Sequence, residues 1–260
     1  MSIQSPALQT LPRADDDNPL AIMARDCFIP REGNKLMMID FDQIELRLMA
    51  HFSEDPVMLE IMRSGEDPFT AFARAIYFDN RIVKTDPRRQ MTKNASYAKI
   101  YGAGKAKFAL TAKVTFDVGS QFLDLYDERF PGIVAFQRKV AHVAEMRNQE
   151  EGFAYVRSPF GRVHPCEVHQ SYKLVNYLIQ GTAADVLKLK LVELDAAGLG
   201  EFMVLPVHDE IIFDVPADRA EEIGREAAHI MTERKLFAAP LTVGIEGPHD
   251  RWGDKYRKKG

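Results

Sequence analysis

The chain has 260 residues, 46% hydrophobic and 28% charged, with a formal net charge of −4. That length supports one large domain or two small ones, and the balance is that of a globular protein, not of a disordered or fibrous one. No apolar run reaches the ~20 residues of a membrane span and no signal peptide opens the chain, while Cys27 and Cys166 stand far apart and read as free thiols in a reducing compartment, without a disulfide framework or zinc spacing.

Residues 1–18 show little periodicity. SPALQTLPR (5–13) is extended and proline-marked, Asp15, Asp16 and Asp17 read as a loop, and the whole reads as a chain that begins in the middle of something. KLMMID (35–40) follows a turn at Glu32, Gly33 and Asn34 and fits a buried strand. Asp40 ends it, placed either as a metal ligand on a rigid scaffold or as an ordinary helix cap. A helix is expected to take over near Gln43. Asp55-Pro56 and Asp67-Pro68 each open a helix, the second running to Tyr77.

Asp86-Pro87 opens a third, closed by Gly102 and Gly104. Within it Arg89, Lys93, Tyr97 and Tyr101 recur every fourth residue. At about 100° per residue their side chains drift only about 40° from one to the next. Two cations and two aromatics on one helix face make a poor core and a good seat for something flat that carries phosphates. Between residues 81 and 113 nine cations stand against one anion, a net +8 inside an acidic chain. This is either a solvated face or the footprint of a polyanion partner. A smaller basic cluster, Lys255, Arg257, Lys258 and Lys259, ends the chain.

A long helix is expected from Ile133 to about Gln149, a hairpin around residues 158–161, and a helix over 171–196 with Asn176 and Gln180 on one face. EFMVLPVHDEIIFDV (201–215) predicts a hairpin with the carboxylates Asp209 and Glu210 at its tip, read either as a solvated turn or as half of a site. Pro206 predicts an edge strand or a bulge for its first arm. A helix over 216–235 and a last strand near 240–246 complete an α+β fold. Its mixed antiparallel sheet uses strands near 36–40, 202–207, 211–215 and 241–246.

DFDQIELR (40–47) resembles motif A of the family A, polymerase I-like, DNA polymerases. The helix bearing Arg89, Lys93, Tyr97 and Tyr101 resembles motif B, and VHDE (207–210) resembles motif C. NYLIQGTAAD (176–185) and SPALQTLPR resemble two further segments, all in family order. The resemblance implies a right-hand fold. Residues 1–54 and 150–260 would form the palm, and residues 55–149 an inserted, all-helical fingers subdomain.

It further implies primer extension by phosphoryl transfer with two Mg²⁺ ions, Mn²⁺ being an alternative. Asp40 and Asp209 would bridge the metals, with Glu210 in support. Arg89 and Lys93 would hold the triphosphate, Lys93 also protonating the leaving pyrophosphate. Tyr97 would lie on the incoming sugar and base, Tyr101 near the template. Gln43 would contact the nucleotide, and Glu45 would be the gate against a 2′-hydroxyl, which argues against an RNA polymerase. Asn176 and Gln180 would read the minor groove, and His208 would position the primer end.

The implied partners are primer-template DNA and deoxynucleoside triphosphates in the cytoplasm of a bacterium or a phage-infected host, with no membrane. Departures from the family pattern are Phe41, Asp42 (a spare ligand or a repelling neighbour), Ala98, Tyr172, and Phe69 where the family often has His. No thumb and no exonuclease domain is recognised. The expectation is therefore the palm and fingers of a split polymerase, of the kind a phage could carry, with a thumb on another polypeptide. The alternative is a non-catalytic DNA-binding remnant.

Overall fold

The structure is a computed structural model that describes residue 11 and residues 19–257. Apart from Leu11, the SPALQTLPR segment lies outside the described residues, as do Lys258 and Lys259. Among the described residues the strands are β1 (Asn34–Phe41), β2 (Ala154–Arg157), β3 (Val163–Cys166), β4 (Met203–Val207), β5 (Glu210–Pro216) and β6 (Val243–His249). The helices are α1 (Pro19–Asp26), α2 (Ile44–Ser53), α3 (Pro56–Ser64), α4 (Pro68–Tyr77), α5 (Pro87–Ile100), α6 (Lys105–Ala112), α7 (Phe116–Arg129), α8 (Pro131–Glu151), α9 (Leu174–Ala196) and α10 (Ala220–Glu233).

The chain divides into two units. One holds 1–42, 184–235 and 241–260; the other holds 43–183 and 236–240. Residues 43–54 and 150–183 thus go with the helical unit, whereas the sequence reading grouped them with the sheet.

The first unit is built on an antiparallel sheet of order β4-β5-β1-β6. Its strands match the four expected from sequence. β1 reads as a continuous apolar run because both of its faces are covered. Leu36 and Met38 pack with Ile212 and Trp252 on one face. Gly224 of α10 comes down on Met37 on the other, so close that a Cβ there would lie 2.7 Å from Met37 Cε. Pro206 sits on the edge strand β4, whose register shifts between Met203 and Leu205. Both readings of that proline hold.

The hairpin tip differs from expectation. The turn is His208 and Asp209 alone, with His208 left-handed at φ 56°. A two-residue hairpin turn demands such backbone. Glu210 is therefore not at the tip; it is the first residue of β5 and 5% exposed.

In the second unit, three helices open on Asp-Pro, and each aspartate accepts from the first turn it caps. Asp55 takes Val57 N and Met58 N, Asp67 takes Thr70 N, and Asp86 takes Arg88 N. Asp55 does more. Fully buried, it also accepts from Gly132 N at 2.9 Å, which fixes the start of α8.

A Cβ on Gly132 would lie 2.8–2.9 Å from Asp55 Cβ, Asp55 Cα and Ser53 O, two of them backbone atoms that cannot swing aside. Gly132→Ala is expected to cost about 2–3 kcal/mol, lowering the melting temperature by about 4–12 °C. A shift under about 1 °C would mean that α8 slides to make room. At the end of α5 the helix stops at Ile100, and Gly102 turns the chain at φ 65° against Tyr172 O, where a Cβ would stand at 2.8 Å.

Candidate active site

In the sheet unit the register sets Asp40 directly opposite Glu210 of β5, and opposite Gly244 of β6 on its other side. Directly opposed residues of an antiparallel pair share a face, with Cβ atoms about 5 Å apart. Two carboxylates are thus side by side, and the flank toward β6 carries no side chain. Asp209 is one residue along, where its carbonyl accepts from Phe41 N at 3.2 Å. Asp42 is exposed, its backbone N–H on Thr242 O.

The pair is answered by Lys255. Its ammonium donates to Glu210 Oε2 and stands 3.6 Å from Asp40 Oδ2. Burial, with a smaller push from Asp42, outweighs Lys255 and raises the Asp40 pKa. Burial raises Glu210 likewise. Burial opposes the charge on Lys255, but Glu210 and Asp40 prevail and push it up.

Asp40 Oδ1 is buried and accepts no hydrogen bond. A hard oxygen with no donor suits a hard divalent cation, and Mg²⁺ is commonly held by one or two carboxylates with water and phosphate filling the rest. Among the described residues no three His, Cys, Asp or Glu side chains gather around one point. The pair meets the smaller requirement.

In the helical unit the repeat on α5 and its C-cap residue Tyr101 share one face, as the periodicity predicts. Tyr97 and Tyr101 stack with ring centroids 6.1 Å apart. The face is laid over Phe69 of α4. Arg89 and Lys93 sit 5.6 and 5.5 Å from its ring, and Tyr97 5.9 Å. Arg89 forms a two-pronged ion pair with Asp67, both bonds 2.7 Å. Tyr97 OH donates to Gln43 Oε1 at 2.9 Å.

Gln43 reaches it from left-handed backbone, φ 51°, a conformation that costs a non-glycine residue about 1 kcal/mol or more. Glu45 is held from two sides, by Tyr101 OH at 3.0 Å and Gln180 Nε2 at 3.2 Å. Burial and that carboxylate push Tyr101 up to about 12, so it remains a donor. Asn176 lies one helical turn from Gln180, and its Nδ2 is buried without an acceptor.

The model for DNA polymerase family A matches residues 1–254. The chain belongs to that family. Among the relatives of this family A chain are the DNA polymerase of Mycobacterium phage D29, 33% identical over 98% of the chain and 40% of that protein, and the thermostable DNA polymerase I of Thermus aquaticus, 29% identical over 94% and 30%.

The fold is similar to the POL domain of Pol1 from M. smegmatis, solved in complex with DNA primer-template and dNTP. The TM-score is 0.84 at 26% identity, covering 97% of this chain and 45% of that one. The family A chain spans less than half the length of these relatives. Among the described residues no helix is long and apolar enough to cross a membrane.

The contacts of two residues are not legible in the sequence. Lys255 stands out in sequence only as part of a basic tail, and Asp67 only as a cap. The basic stretch is also less basic than its count. Arg81 and Arg88 pair with Asp79, Arg89 with Asp67, Lys99 with Asp127 and Lys105 with Asp124. All four of those partners lie outside residues 81–113.

Proposed function

We propose that this chain performs template-directed DNA synthesis, adding deoxynucleotides to a primer 3′-hydroxyl. The observation that carries the reading is the Asp40–Glu210 pair, with its unpartnered oxygen, in a chain of this family. Asp40 and Asp209, supported by Glu210, would hold two Mg²⁺ ions, which when bound activate the attacking hydroxyl and stabilise the leaving oxygen.

The chain's own residues do the rest. Lys93, lodged with its ammonium over Phe69, holds the triphosphate and gives a proton from Nζ to the departing pyrophosphate. Arg89, kept in place by Asp67, adds a second charge there. Tyr97, tied to Gln43, lies against the incoming sugar and base; Tyr101 lies near the template. Asn176 and Gln180 present donors to minor-groove acceptors that all correct pairs share. His208 positions the primer end. The sheet serves as palm and the helices as fingers. Pairing of five basic side chains with local acids weighs against a DNA-binding remnant held by charge alone.

Primer extension tests the reading. The purified chain, alone and with a thumb-bearing fragment of a relative added in trans, is expected to extend a primer only with template and a divalent cation. No incorporation under either condition would sink the proposal.

Glu45 sets the sugar preference in this reading, its carboxylate held in place by hydrogen bonds from Tyr101 and Gln180. Glu45→Ala is expected to raise ribonucleotide incorporation relative to deoxynucleotide by about two orders of magnitude. Competition between matched dNTP and rNTP reads this directly. An unchanged ratio would place the gate elsewhere.

A further inference from the structure

We infer that Lys255 is an internal counter-cation for the Asp40–Glu210 pair, a positioning residue that competes with the divalent ion and so sets how tightly the chain binds it. The inference rests on the metal reading above and goes beyond it.

The geometry is that of a built feature. Lys255 is carried by a short 3-10 turn, Trp252–Tyr256, which is anchored on both sides. Trp252 is 1% exposed in the core beside Leu36, Met38 and Ile212. The buried Arg25 of α1 lays its guanidinium 5.0 Å from the Trp252 ring and 5.1 Å from that of Tyr256. Asp254 caps the turn at Arg251 N, and Arg257 ties it to Asp26. Lys255 is thus not a surface lysine that happens to fall near an acid. Its side chain is 18% exposed, and the Glu210 side chain it bonds is 7% exposed.

A buried and a half-buried carboxylate set side by side repel and lose hydration. An ammonium between them supplies the charge they lack when no metal is present. That same charge opposes a second cation arriving on Asp40 Oδ1, since Nζ lies only 3.6 Å from Asp40 Oδ2. At such a distance, charges near a protein surface interact strongly enough to shift binding by tenfold or more. The lysine therefore keeps the empty site intact and makes metal binding weaker and more dependent on the triphosphate that accompanies it.

Mn²⁺ binding followed by electron paramagnetic resonance, without DNA or nucleotide, tests this, with thermal melting in EDTA as a second readout. Lys255→Gln is expected to bind Mn²⁺ about tenfold more tightly than wild type. In EDTA it should melt about 5 °C lower, with saturating Mn²⁺ restoring most of the loss. Lys255→Arg keeps the charge and should stay within about twofold of the wild-type affinity.

A Lys255→Gln protein that binds no tighter, or melts unchanged in EDTA, overturns the inference. Should that variant not fold, Lys255→Arg decides: an affinity outside the twofold range overturns it. Asp40→Asn separates the two layers. If it binds Mn²⁺ like wild type, the metal reading fails and takes this inference with it. If it loses Mn²⁺ while Lys255→Gln gains none, only the counter-cation role fails.

Discussion

Asp40→Asn is expected to lower single-turnover nucleotide incorporation by about a thousandfold or more, with the melting temperature staying within about 2 °C of wild type. The two halves of this result have one cause. Asp40 Oδ1 is buried and accepts nothing from the protein. Burial outweighs Lys255 and holds the pKa above its ordinary 3.8. A raised carboxylate pKa means that the native state binds the proton more tightly than the unfolded chain. Stability attached to this group is then full below pH 3.8 and declines as pH rises through the folded value.

At neutral pH the charge on Asp40 is a cost to the fold, and the neutral amide removes it. Lys255 keeps Glu210, so no cation is stranded. A large fall in melting temperature would make Asp40 a structural residue; retained incorporation would remove it from the proposed metal site.

The opposite sign is expected at Asp67. Asp67→Ala should cost about 3 kcal/mol at pH 7, near 1 for the lost cap and near 2 for leaving the half-buried Arg89 without its partner. Asp67 accepts from Thr70 N at 2.9 Å, Thr70 Oγ1 at 2.6 Å and two Arg89 nitrogens at 2.7 Å. The Arg89 hydrogen bonds, joined by those from Thr70, outweigh burial and hold its pKa far below 3.8.

A depressed pKa contributes stability that is full above the unfolded value and lost as pH falls below it. The gap between wild type and variant should therefore be widest at pH 7 and shrink once pH drops below 3.8. Asp67→Asn, which can still cap, should lose only the ion-pair share of about 2 kcal/mol. Urea unfolding at about pH 7 and pH 3 reads both. A gap of the same size at both pH values would assign the loss to packing instead of charge.

These two aspartates mark where sequence reading stops. Asp67 before Pro68 is legible as a cap because the cap is made with a residue three positions on, and the Asp-Pro pattern repeats at Asp55 and Asp86. Its grip on Arg89 is not legible, because that partner is 22 positions away and α4 must first pack on α5. Asp40 is legible as the end of a buried strand. That its direct neighbour is Glu210, with Asp209 in the turn, depends on register, which a one-residue slip would reverse. The two-residue turn at left-handed His208 decides it. The net +8 of residues 81–113 leaves out the acids paired with it for a related reason. Asp67, Asp124 and Asp127 are 22, 19 and 28 positions from the cations they pair with and come close only after helices pack, while Asp79 falls just before the stretch.

By itself the sequence determined the local order of this protein. The strands, the three capped helices, the edge position of Pro206 and the shared face of Arg89, Lys93, Tyr97 and Tyr101 all follow from interactions within a few residues, which leave a period or a dipeptide behind. The motif order placed the chain in its family on the same kind of signal. Tertiary structure alone decided which charges meet. Lys255 on Glu210, Arg89 on Asp67, Phe69 beneath the α5 face and Glu45 between Tyr101 and Gln180 are pairs separated by 45, 22, 20 to 28, and 56 to 135 positions. Electrostatic and packing energies fall with distance in space and carry no mark of distance along the chain, so only the folded arrangement could set them.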